Sequence, residues 1–135
     1  MVVAALVSAG CASDSYNKRQ AAASSSLQVA ADEVQAESRA IEVTLAALND
    51  LINKPPANLK AQFQSFSLNL DHLTAAAHRN QAAAARVAQR SAAYFQDWDK
   101  ELVRMNFEAV RNRSVARKTE VAQQTETVNR HYQEA

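Results

Sequence analysis

Apolar side chains fall along this chain in stripes three and four residues apart. Leu27, Ala30, Val34, Ile41, Leu45, Leu48 and Ile52 recur at spacings of three, four or their sums, the pattern of one face of a helix. Asn53-Lys54-Pro55-Pro56 ends this stripe, because proline lacks the amide hydrogen that continues the helical ladder and restrains the residue before it. A turn is therefore expected at 53–57. Beyond it, Leu59, Phe63, Phe66, Leu70, Leu73, Ala77, Asn80, Ala84, Val87, Ser91, Tyr94 and Trp98 alternate four and three without a slip, and Met105 follows seven residues after Trp98. A sustained seven-residue repeat predicts left-handed supercoiling. A helix from about 58 to about 105 would be roughly 70 Å long at 1.5 Å per residue. Its seam changes from Phe and Leu near the turn, through Ala, Asn and Ser, to Tyr94, Phe95, Trp98 and Leu102. The middle is expected to pack closely but weakly.

After Met105 comes Asn106, a candidate break or cap. Phe107, Val110, Ser114, Val121, Thr125, Val128 and Tyr132 then keep the spacing with thinner apolar content. No proline or glycine forces a turn near 106, so the pattern leaves open whether the chain turns there or continues as one helix. The expected fold is all-α, a long antiparallel coiled-coil helical hairpin or a three-helix bundle, occupying residues 21–135. A first helix starting near Ala21 is shorter than the second. The overhang would leave the Trp98 end free for a partner or a second copy, unless a third helix covers it. The stripe still runs at Tyr132 with no cap after it, so further sequence is expected beyond Ala135.

Composition narrows the choice. Apolar residues make up 47% of the chain and aromatics 6%, and much of the apolar share is alanine, whose strengths are helix propensity and close helix approach. The single glycine is Gly10 and the two prolines are the adjacent Pro55 and Pro56. From Cys11 onward tight hairpins and glycine loops have no residue to serve them. The net charge of +1 gives no global field toward nucleic acid, and no nucleic-acid partner is expected. The charge is unevenly placed. Asp32, Glu33, Glu37, Glu42 and Asp50 share their segment with one base, Arg39, whereas Arg79, Arg86, Arg90, Arg104, Arg111, Arg113, Arg117 and Lys118 follow later. An acidic first helix facing basic later helices would help select register.

The first residues carry a different message. Met1 to Gly10 are apolar or small and end at Cys11, too short a run to span a membrane at about 20 residues. They fit the apolar region and small-residue cleavage site of a secretory signal. Val7-Ser8-Ala9-Gly10-Cys11 resembles a bacterial lipobox, in which Cys11 receives a diacylglyceryl group on sulfur before the peptidase cuts. Residues 1–11 are read as a signal remnant, and residues 12–20, small and polar, as a tether. A signal needs a basic start, and nothing before Cys11 is charged, so Lys or Arg are expected upstream. Ala12 is not aspartate, which favours the periplasmic face of the outer membrane over retention at the inner membrane. The expected partner is the membrane, through the lipid on Cys11.

Tyr94-Phe95-Gln96-Asp97-Trp98-Asp99-Lys100-Glu101-Leu102, followed by Ala109-Val110-Arg111-Asn112-Arg113-Ser114, resembles a family of uncharacterised bacterial lipoproteins, the domain of unknown function numbered 2959. Its pattern has an aromatic-acid-Trp-x-x-Glu-Leu run, a Leu-Arg-x-x-Ser element, then Thr and Tyr within a helix. Thr119 or Thr125 and Tyr132 match the last part, and Val110 stands where leucine is commoner. Cys11 followed by Tyr16 is also similar. The resemblance implies a longer helical protein of the periplasm and no known activity.

Little chemistry is otherwise on offer. His72, His78 and His131 lack the i, i+4 spacing of a helical metal pair. Asp71 and His72 are adjacent, so on a helix they do not face each other. Asp97, Asp99 and Glu101 surround Trp98, and with Tyr94 they form a candidate partner-binding patch. The plainer reading is a seam tryptophan flanked by solvated carboxylates paired with Lys100 and Arg104. Arg104, Arg111 and Lys118 repeat every seven residues as a basic stripe. Neither a catalytic centre nor a cofactor nor a metal is expected. The expected role is a lipid-anchored periplasmic helical scaffold or interaction protein, self-associating or binding an envelope protein. The alternative is an envelope binding module that grips a ligand or polymer at the Trp98 end.

Overall fold

The computed structural model describes residues 13–53 and 59–134. They form three helices, α1 (Asp14–Asn53), α2 (Leu59–Arg104) and α3 (Glu108–Glu134). The Pro55-Pro56 connection lies outside the described residues. The two helices it joins are antiparallel neighbours: Thr44 Oγ1 reaches the Asn69 carbonyl, Arg79 meets Glu33, Arg90 reaches the Ala22 carbonyl and Ser15 meets Asp97. Each step back along α1 is matched by a step forward along α2.

α1 starts a full two turns before Ala21. Ser13 precedes the helix as its N-cap, its Oγ accepting the Tyr16 amide hydrogen at 3.3 Å. Residues 14–20 are therefore helical and packed, not a tether. Small polar composition favoured a tether, but Tyr16 is in phase with Ala23 and Ala30 and docks on Tyr94 and Trp98, which offsets the entropy of ordering the segment. With α1 lengthened to 40 residues against 46 for α2, the overhang at the Trp98 end disappears.

The seam also differs from the apolar stripes. On α1 the residues buried toward α2 include Ala23, Ser26, Ala30 and Thr44, so the contact line runs one residue ahead of Leu27, Ile41, Leu45 and Ile52, all of which are exposed. On α2, Ala76 and Ala83 are buried where the stripe has Ala77 and Ala84, and Phe63 and Leu70 are exposed. From Val87 the buried line passes to Ser91, Tyr94 and Trp98, the residues of the stripe. Ala83, Val87 and Ser91 are thus two successive steps of four. The repeat slips at Val87, a stutter in the alternation of four and three. The physical reason is size. Ala30, Ala83 and Val87 are essentially inaccessible to solvent, and small side chains let the backbones approach more closely than a Leu-Phe seam would.

The chain turns at residues 105–107 without glycine or proline, and no described residue has positive φ. The Met105 amide closes on Leu102 at 3.3 Å and the Arg111 amide on Phe107 at 3.0 Å. α3 then runs back along α2: Ser114 meets Trp98, Val121 packs at the aromatic cluster and Tyr132 packs against Ala30, Ala83 and Val87. The architecture is an α1–α2 hairpin with α3 laid on one of its faces. No residue of α3 is fully buried. Its half-buried line, Ser114, Lys118, Val121, Thr125, Val128 and Tyr132, keeps the alternation of four and three. At 27 residues against 46 for α2, α3 covers little more than half of the hairpin.

Candidate interaction site at the Trp98 end

Three helix ends meet at Trp98. α1 brings Ser13, Ser15, Tyr16 and Arg19, α2 brings Tyr94 to Glu101, and α3 brings Ser114 and Lys118. Trp98 is 5% exposed. The Tyr16 ring stands edge-on to the indole at 6.1 Å and 82°, Tyr94 is tilted against it at 5.3 Å, and Phe95 stacks at 6.5 Å and 20°. These are the offset and edge arrangements that aromatic quadrupoles favour. The one polar atom of the indole, Nε1, donates to Ser114 Oγ at 2.9 Å. The hydroxyls of Tyr16 and Tyr94 share a hydrogen bond of 3.0 Å. Burial, and then the bond to Tyr16, push the Tyr94 hydroxyl above the ordinary tyrosine range, so it stays neutral.

The acidic residues are engaged within the molecule. Asp97 is buried. Its Oδ1 accepts from Lys100 Nζ at 2.6 Å and its Oδ2 from Ser15 Oγ at 3.0 Å, with Arg19 Nε at 3.5 Å. Glu101 accepts from Ser13 Oγ and from Arg104. Asp99 accepts from Lys118 on α3. Asp97 therefore fastens the first turn of α1, Glu101 its N-cap and Asp99 the third turn of α3. The expected pairs with Lys100 and Arg104 are present, but Asp97 is not solvated and the Trp98 end is not an open face. Chain reversal at 105–107 and the early start of α1 close it from both sides. The missed partners, Ser13, Ser15, Tyr16 and Arg19, left one signal in the sequence, the phase of Tyr16 with Ala23 and Ala30.

The hydrogen bond from Lys100, reinforced by the one from Ser15, holds the Asp97 carboxyl below the ordinary carboxylate range. A carboxyl depressed on folding contributes stability that is present above its unfolded pKa and lost as pH falls through its folded value. Asp97 stabilises the α1 end at neutral pH, and that contribution is expected to decline as pH falls below about 3.9, the unfolded aspartate value, toward the lower folded value. In thermal melts, Asp97→Asn should lower the midpoint at pH 7 and leave the protein less sensitive to acid than the unchanged chain. An equal loss of midpoint in both chains between pH 5 and pH 3 would exclude this role.

The other candidate residues lie elsewhere. Val7, Ser8, Ala9, Gly10 and Cys11 are outside the described residues. Among the described residues no group of three or more His, Cys, Asp or Glu side chains is placed to hold a metal ion, and no helix is long and apolar enough to cross a membrane. A cavity of about 530 Å³ opens where α3 ends, lined by Val34 and Ile41 of α1, Ala77 and Ala84 of α2, and Val128 and Tyr132 of α3. Burial pushes the Tyr132 hydroxyl upward. The Asn80 side chain donates to Glu37 at the cavity edge, and its Oδ1 has no protein partner. The cavity is the mouth of a longer apolar groove between α1 and α2.

No known family's sequence model matches the chain. No curated protein and no solved structure matches it either.

Proposed function

We propose that the protein is a lipid-anchored helical scaffold of the bacterial periplasm, held to the outer membrane through Cys11 and working by presenting a helical surface rather than by catalysis. The observation that carries this reading is the placement of Ser13. Its hydroxyl caps α1 and bonds Glu101, which fixes the start of the rod two residues after the lipobox cysteine. Two residues reach about 7 Å at most. A lipid on Cys11 would therefore hold the closed Trp98 end close to the bilayer. The opposite end of the hairpin would stand away from it by the length of α2, roughly 70 Å at 1.5 Å per residue.

The test is the mass of the mature N-terminal peptide from protein made in a bacterium with a lipoprotein pathway. The expected peptide begins at Cys11 and carries added acyl mass, and Cys11→Ser protein loses both the cleavage and the mass. A chain that keeps Met1 to Gly10 unmodified would remove anchor and compartment together.

A further inference from the structure

The turn that closes the Trp98 end is itself apolar on its outside. Chain reversals ordinarily draw on Gly, Pro, Asn, Asp and Ser. This one has Asn106, but Val103 precedes it and Phe107 follows it. At 84% and 78% they are the most exposed large apolar side chains among the described residues. Tyr16, Tyr94, Phe95 and Trp98 pack together a few residues away and Met105 joins them, yet Phe107 stays outside. Every residue from 106 to 113 is exposed, so the start of α3 stands clear of the hairpin until Ser114 meets Trp98. The Arg111 amide bonds the Phe107 carbonyl, which makes Phe107 the opening of a helical turn. Val110, three residues on and also exposed, shares its face. A single exposed apolar residue is ordinary, but three within eight residues at a turn form a surface that the fold does not use.

We infer that Val103, Phe107 and Val110 enter the headgroup layer of an anionic phospholipid bilayer, with Arg111 and Arg113 meeting the phosphates beside them. Shape, size and charge select a lipid surface. The turn is the convex tip of a rod, which a fluid layer can receive and a folded partner must be hollowed to fit. One aromatic residue offers about 150–250 Å², so these three side chains fall short of the ~800 Å² that each partner buries in a standard protein interface. Lipid contact needs less, because a few apolar side chains act together with neighbouring basic ones. Asp97, Asp99 and Glu101 are already paired with Lys100, Lys118 and Arg104. Arg111 and Arg113 form no ion pair with a described residue, and the one acid between the turn and Ser114 is Glu108. Ser13 bonds Glu101 at this same end, so a lipid on Cys11 would act in the same place, but the surface does not require that lipid.

Vesicle flotation tests it, with the full chain carrying Cys11→Ser so that no acyl chain contributes, and with helicity followed by circular dichroism. The protein should float with vesicles of phosphatidylglycerol and phosphatidylcholine. It should float less with pure phosphatidylcholine or in high salt, which screens exposed charges. Phe107→Asp should lower the partition coefficient on the order of tenfold while keeping the helicity. Arg111→Glu should lower it about tenfold on the anionic vesicles and leave the phosphatidylcholine result unchanged. Phe63→Asp is the matched control, the same exchange at an exposed phenylalanine near the other end of α2, and should bind as its parent does. A parent that stays with the unbound fraction overturns the inference. So does a Phe107→Asp chain that floats undiminished, as binding through Met1 to Gly10 would give, or a Phe63→Asp chain that does not float, as binding through the α1–α2 groove would give. A dimer that depends on Phe107 and leaves the vesicles unbound would put a second copy at the tip instead. Since no lipid is attached in this experiment, its failure and that of the Cys11 assignment are separate results.

Discussion

Trp98→Ala should be the most damaging single substitution in this protein, lowering its stability by about 3–5 kcal/mol, the usual cost of truncating a buried aromatic residue to alanine. The indole is the hub of the end where all three helices meet. It packs against Tyr16, Tyr94 and Phe95 and supplies the hydrogen bond that holds Ser114. Removing it leaves a cavity lined by rings, frees the first turns of α1 and unfastens the start of α3. A small helical domain has only about 5–15 kcal/mol in total, so urea denaturation should show a large fall in midpoint. Trp98→Phe separates the two contributions. It keeps the ring contacts, loses the bond to Ser114, and should cost about 1 kcal/mol for that bond beyond the lost ring volume. A Trp98→Ala protein within about 1 kcal/mol of the unchanged chain would mean that the aromatic cluster does not stabilise the fold.

Ala30→Leu should be the second, costing about 1–3 kcal/mol or more by overpacking. Ala30 is fully buried against Ala83 and Val87, where α1 and α2 come close on small side chains. A leucine there has no room unless the helices separate, and separation also lifts Tyr132 off the same cluster. Ala31→Leu is the matched control. Ala31 is exposed, leucine is nearly as good a helix former as alanine, and its stability should be unchanged within about 0.5 kcal/mol. Equal denaturation midpoints for Ala30→Leu and Ala31→Leu would show that the close approach at Ala30 is not part of the folded state in solution.

The two sites differ in how legible they were. Trp98, Tyr94, Asp97, Asp99 and Glu101 stand out by residue type, and the structure brings all five to one end. Their role was not legible, because it depends on Ser13, Ser15, Tyr16 and Arg19, residues some 80 positions away in a stretch that composition alone assigns to a tether. The same carboxylates that suggest a docking patch are the fastenings of α1 and α3. The seam was legible in its period throughout, and in its phase only at Ala30 and from Val87 to Trp98. Large apolar residues outweigh alanine and serine in any hydrophobic pattern, so the pattern followed Leu27, Ile41, Leu45, Phe63 and Leu70. Helix approach is governed by the smallest side chains, and it follows Ala23, Ser26, Ala30, Ala76 and Ala83.

From the sequence alone came the all-α class, the antiparallel pairing of the first two helices, the extent of α2 and the line that α3 turns inward. All of these rest on local chemistry: a lack of glycine, one proline pair, and a hydrophobic period that each helix carries by itself. Three things were decided only by tertiary structure. They are the turn at 105–107, the extension of α1 back to Asp14, and the one-residue displacement of the seam that leaves Ile41, Leu45, Ile52, Leu59, Phe63 and Leu70 outside. Each depends on what a residue meets across the bundle, and the phase of Tyr16 with Ala23 and Ala30 is the one trace of it within a single helix. Close packing at Ala30 and Ala83 fixes the rotation of α1 against α2, and that rotation turns a stripe resembling a core into an open groove.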